Sequence, residues 1–205
     1  MGRRDHNSRS EQPTWGIHLV AGLGSQTLPS DKMSVTIANR QRVRKINRRL
    51  LKKIANALLA ELEIKKAEIG ICLAAAPEMT RLNETFLRHA GSTDVLTFDY
   101  SDKTVGADVR RLLNQKPALQ KRRETPYVVS YKKIQGEIYI CVDEAVLQAR
   151  QFGTSWQSEV IRYLVHGVLH LLGFDDSSAG ARRKMKWEEN RRLREITRRF
   201  PLSKL

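Results

Sequence analysis

The stretch His166-Gly167-Val168-Leu169-His170-Leu171-Leu172-Gly173-Phe174-Asp175-Asp176 decides how this chain is read. Residues four apart share one helical face, so the two imidazoles can point at a single ion. Gly173 permits the left-handed turn that ends a helix, and the chain beyond it can bring a carboxylate back to the histidines. His166, His170 and Asp176 are therefore the candidate metal ligands, with Asp175 as the rival carboxylate. Three protein ligands leave a coordination position for water or substrate, as in catalytic rather than structural zinc sites. Two ordinary core histidines are the plainer alternative; the glycine stop and the carboxylates after it favour a metal. Zincins carry a glutamate directly after the first histidine as general base. Gly167 stands there instead, which argues against a peptidase of that kind.

Outward from this stretch, the helix carrying it is apolar nearly all round and is expected to be buried, with Thr154 and Gln157 as its capping box. A final helix is expected from about Ala179 to Arg199. Towards the N-terminus, Val35-Thr36-Ile37-Ala38 reads as a strand, and Ile46, Leu50, Leu51, Ile54, Leu58 and Leu62 form a helical stripe. Strands are also expected at 68–76, 93–98 and 137–142. Pro77 and Glu78 open a helix to about Phe86, and Asp143 begins another to about Gln151. Strands interleaved with helices predict an α/β (α+β) layer fold. Residues 1–32 are polar and glycine-rich without periodicity, and are expected to be a disordered extension to a single domain at 33–205.

Three ordered blocks resemble the YbeY endoribonuclease family. The His166-to-Asp175 run matches its signature, with Asp176 standing where the family has a third metal histidine. Leu82-Asn83-Glu84-Thr85-Phe86 followed by Thr93-Asp94-Val95-Leu96-Thr97-Phe98 is similar to a second block, and Gly136-Glu137-Ile138-Tyr139-Ile140-Cys141 to a third. The resemblance covers about residues 33 to 196. It implies a small mixed sheet packed with helices and a metal site at the end of a buried helix. It also implies cleavage of single-stranded RNA in late small-subunit rRNA maturation and ribosome quality control, with rRNA and the ribosome or its proteins as partners.

The family's register favours Asp176 as the ligand, leaving Asp175 to cap the turn. A carboxylate in place of a neutral imidazole lowers the net charge of the site by one. Zinc (Zn2+), one per chain, is the expected ion, with manganese or iron made more competitive by that oxygen ligand. The family also carries an arginine directly after the aromatic of the second block, acting on the RNA phosphate. Leu87 occupies that register here, so Arg88, one residue later, is the candidate catalytic cation. Residues 101–133 are longer than the family's usual connection and read as a basic insertion.

The formal net charge of +15 and pI near 10.2 point towards a polyanion. Arg40, Arg42, Arg44, Lys45, Arg48, Arg49, Lys52 and Lys53 are expected to open one helix, and basic residues from Arg182 to Arg199 run along the last. No acidic residue interrupts residues 32 to 60, which favours contact with a phosphate backbone over a merely solvated face. Cys72 and Cys141 sit in expected strands as small buried hydrophobes and make no disulfide scaffold. No segment reaches the roughly 20 apolar residues of a membrane span, so a cytoplasmic protein without a membrane partner is expected. The alternative reading is an rRNA-binding ribosome-assembly factor with little or no nuclease activity.

Overall fold

A computed structural model describes residues 33–101 and 134–205. The extension expected at 1–32 lies outside them, as does the insertion expected at 101–133 apart from Ser101. Alternating apolar residues build the sheet. In β4 (Ile134–Cys141), Ile134, Ile138 and Ile140 are fully buried on one face, while Gln135, Glu137 and Tyr139 alternate onto the other. β2 (Ala67–Ala74) does the same with Ile69, Ile71 and Leu73. β1 (Met33–Asn39) pairs parallel to β2 and β2 parallel to β4; β3 (Val95–Asp99) closes the other edge antiparallel to β4. The order β1-β2-β4-β3 makes a four-stranded mixed sheet, and the fold is α+β.

The apolar face is covered by α1 (Arg48–Glu61), through Leu51, Ile54 and Leu58, and by α4 (Trp156–Leu171), through Val160, Leu164 and Val168. α3 (Val142–Phe152) and α5 (Ala179–Arg199) flank α4, so the helix carrying the histidines is the buried centre of the helical layer. On the opposite face α2 (Ala76–Leu82) closes a smaller cluster of Met79, Ala74, Leu96 and Cys141. Two glycines set the spacing between α4 and β4. A Cβ on Gly167 would meet Ile138 Cγ2 at 2.6 Å, and one on Gly136 would lie 2.5 Å from both Leu171 Cδ2 and the Phe98 carbonyl oxygen. The position that holds the zincin glutamate thus faces the sheet in this chain.

Three local expectations shift. The first basic helix starts at Arg48, where the Asn47 side chain accepts from the Leu50 amide; Arg40, Arg42, Arg44 and Lys45 precede it in the connection from β1. Ile46 then sits just before the cap, in the position of a hydrophobic staple, and packs against the core. Ser155, not Thr154, caps α4 by accepting from the Ser158 amide, and Thr154 Oγ1 instead donates to Glu159 Oε1 at 2.6 Å. The helix opened by Pro77 passes at Asn83 into a π-helical turn, Asn83–Leu87, before reaching Phe86. Cys72 and Cys141 are buried and free, as read from the sequence. Among the described residues no helix is long and apolar enough to cross a membrane.

Candidate metal centre

α4 ends as Gly173 dictates. With φ of +81°, Gly173 donates its amide to the His170 carbonyl at 2.8 Å, and the Phe174 amide reaches the Leu169 carbonyl at 3.0 Å. These are the two bonds of a Schellman stop. Phe174 packs against the core and pins the chain as it turns back. The next two residues then divide their roles. Asp175 accepts from the Ser177 amide at 3.0 Å and from its hydroxyl, which caps the turn and holds its carboxyl below the ordinary range. Asp176 returns to the histidines, with Oδ2 3.9 Å from His166 Nε2.

One ligand atom from each of His166, His170 and Asp176 lies within 4.8 Å of the other two. The imidazoles converge through Nε2 atoms 3.0 Å apart. Their other nitrogens are committed: His170 Nδ1 faces the Phe174 carbonyl oxygen at 3.0 Å, and His166 Nδ1 faces Glu189 Oε2 at 3.2 Å. Burial alone would raise the Glu189 carboxyl. Hydrogen bonds from His166, Lys186 and Arg162 outweigh it and hold the group at about 2, so it is ionised and can only accept. A carbonyl oxygen likewise only accepts. Both Nδ1 atoms therefore carry protons donated to these acceptors, which leaves the two Nε2 atoms as the positions turned toward each other and toward Asp176. Burial and the neighbouring imidazole lower the His170 pKa, which keeps that ring neutral. A divalent ion would find both Nε2 atoms and the Asp176 carboxylate converging on one gap. The donor set, with both Nδ1 atoms held by outer acceptors, fits a divalent ion.

A cavity of about 410 Å3 opens beside the cluster, lined by Asp94, Arg162, Tyr163, His166, Asp176, Arg182, Arg183, Met185, Lys186 and Glu189. Arg88 is not among them. It follows the π-helical turn in a left-handed conformation (φ +57°) and its side chain is exposed, so the structure does not bring it to the wall beside the cluster. Glu189 was not singled out in the sequence. The signal was present, since Glu188, Glu189 and Glu195 are the acidic residues of an otherwise basic α5, and a buried acid among arginines needs a partner.

The family model for endoribonuclease YbeY matches residues 35–197. An endoribonuclease YbeY of Chlorobium phaeovibrioides is 31% identical over 70% of this chain and 78% of its own length. One from Aquifex aeolicus is 30% identical over 79% of this chain and 86% of its own. A solution structure of a Thermotoga maritima protein, 20% identical, superimposes with a TM-score of 0.51 over 80% of this chain and 89% of that one, which supports the fold. The match spans both sheet edges and the whole histidine stretch, and on that extent the chain belongs to the YbeY endoribonuclease family.

Proposed function

We propose that this protein is a metal-dependent, single-strand-specific endoribonuclease acting in late small-subunit rRNA maturation and ribosome quality control, with rRNA and the ribosome as its partners and the cytoplasm as its place of action. The observation that carries the reading is the convergence of the two Nε2 atoms, 3.0 Å apart, beside Asp176, with both Nδ1 atoms engaged on the far sides of the rings. His166, His170 and Asp176 would hold the ion, zinc first, with manganese or iron as competitors. When bound there, such an ion polarises a phosphate oxygen and acidifies water. The chain's own groups supply the rest. Glu189 and the Phe174 carbonyl keep the imidazoles aimed, and the buried α4 fixes their spacing against the sheet. Cations in the cavity wall attract the RNA backbone to the site.

The test pairs metal content with turnover. The parent should retain close to one ion per chain after purification without chelator and cut single-stranded rRNA fragments, whereas Asp176→Ala should lose both while folding normally. Full cleavage by the variant removes Asp176 from the mechanism. Salt-sensitive RNA binding without metal-dependent cutting in the parent would leave the assembly-factor reading instead.

A further inference from the structure

Four cations line the cavity beside the cluster, and their partners separate them into two kinds. Arg162 lies 3.2 Å from Glu159 and 2.6 Å from Glu189, and it also bonds Asn190, so its charge is compensated inside the protein. Lys186 Nζ lies 2.9 Å from Glu189. Arg182 and Arg183, near the start of α5, are different. Arg182 Nη1 donates to the backbone carbonyl of Asp176 at 3.1 Å, a contact that orients the guanidinium but leaves its charge uncompensated. Arg183 is exposed and has neither a hydrogen-bond nor an ion-pair partner among the described residues. Two arginines whose charges are unspent therefore stand on the wall shared with His166 and Asp176, one of them tied to the turn that carries Asp176.

We propose that Arg182 and Arg183 are the phosphate-binding element of this site, gripping the RNA backbone beside the metal cluster; the inference rests on the RNA reading above. A guanidinium is always charged and presents a planar donor fork that matches two phosphate oxygens, which an ammonium does not. The cavity volume lies in the range of about 300–1,000 Å3 usual for small-molecule sites, enough for a phosphodiester and part of its nucleoside. On this reading the cavity beside the metal cluster takes its phosphate contact from the start of α5, and Arg88, which is not in that wall, is not needed for it. Arg182 also links strand binding to the metal, because the carbonyl it holds belongs to Asp176.

The experiment uses the full chain and a labelled single-stranded RNA dodecamer of mixed sequence, titrated first in chelator, so that no strand is cut, across a salt series. Arg183→Ala should weaken binding roughly tenfold, the lower end for a charge-assisted hydrogen bond, and reduce the slope of log affinity against log salt by about 0.7. Arg183→Lys should recover part of the affinity and all of the slope. Lys65→Ala removes the same charge from an exposed position after α1 and should change affinity less than twofold. Metal content should match the parent in all three. In the metal-loaded cleavage assay the Arg183→Ala deficit should fall mainly on KM.

Equal losses from Arg183→Ala and Lys65→Ala would mean a diffuse field and overturn the proposal, as would binding of Arg183→Ala at parent affinity. Polyglutamate of matched charge binding as tightly as the RNA would overturn the assignment to phosphate. The two readings fail separately. If the parent holds no metal and cuts nothing, yet Arg183→Ala still loses strand binding, the nuclease reading falls and this site stands. If the parent cuts RNA and Arg183→Ala binds and cuts like it, only this site falls.

Discussion

Replacing Glu189 with glutamine keeps the shape of the side chain and removes the property on which the metal site depends. In the parent, Glu189 Oε1 accepts from Arg162 at 2.6 Å and from Lys186 at 2.9 Å, while Oε2 faces His166 Nδ1 at 3.2 Å. A glutamine has one oxygen for three donors. The two cations retain it at the Oε1 position, so the amide NH2 is left opposite the Nδ1 proton of His166. Donor against donor forces the ring into its other tautomer, and the proton moves to Nε2, 3.0 Å from His170 Nε2 and in the direction the ion must occupy. Loss of an outer partner of a ligating histidine typically costs about 10–100-fold in metal affinity, or about 1.4–2.8 kcal/mol. Competition against a chromogenic zinc chelator at neutral pH measures this directly. Glu188→Gln is the control, because Glu188 pairs with Arg192 and Arg191 rather than with a histidine. A folded Glu189→Gln protein that binds zinc within twofold of the parent would refute the tautomer argument and reduce Glu189 to a counter-charge for Arg162 and Lys186.

Three further outcomes follow from the same packing. Gly136→Ala should cost about 1–3 kcal/mol, since its Cβ would lie 2.5 Å from the Phe98 backbone oxygen. Gly167→Ala should cost less, because Ile138 can rotate and an alanine recovers about 1 kcal/mol of helix propensity; urea unfolding of both variants checks the order. The Tyr163 hydroxyl is buried with no partner among the described residues, so Tyr163→Phe should be neutral or raise stability by about 1 kcal/mol, and a Tm several degrees lower would show that the hydroxyl is bonded in solution. Burial pushes the Cys72 thiol up to about 11, against the pull of nearby Arg40. The folded value lies above the ordinary thiol near 9, so this contribution to stability is complete below pH 9 and is lost as pH rises to about 11. Between pH 8.5 and 11 the parent should therefore lose more stability than Cys72→Ala, by an amount on the order of 2 kcal/mol; parallel urea midpoints would disprove it.

What the sequence disclosed, and what it withheld, depends on the distance over which each feature is determined. The turn after α4 was legible because the Gly173 conformation, the Phe174 anchor and the Asp175 cap are settled within a few residues, and the same locality put Ala179 and Arg199 at the observed ends of α5. The strands were legible as alternation. Caps were less so: Thr154 and Ser155 both carry a hydroxyl, and which one caps α4 turned on Glu159, whose carboxylate accepts the hydrogen bond from Thr154. The wall of the site was not legible, because its parts come from α4, α5 and the residue before β3 and meet only when the helices dock. A charge run on α5 reads the same whether its arginines face solvent or a cavity. Only the packing shows that Glu189 neutralises two cations and leaves Arg182 and Arg183 uncompensated beside His166. Arg88 illustrates the converse. Its proximity in sequence to the second family block made it the natural cation, but a π-helical turn inserts one more residue per turn than an α-helix continuing from α2, and the chain after it leaves in a left-handed step. A shift of one residue in register is small in sequence and large in direction, and the cationic wall of this cavity is built from Arg162 on α4 and Arg182, Arg183 and Lys186 on α5.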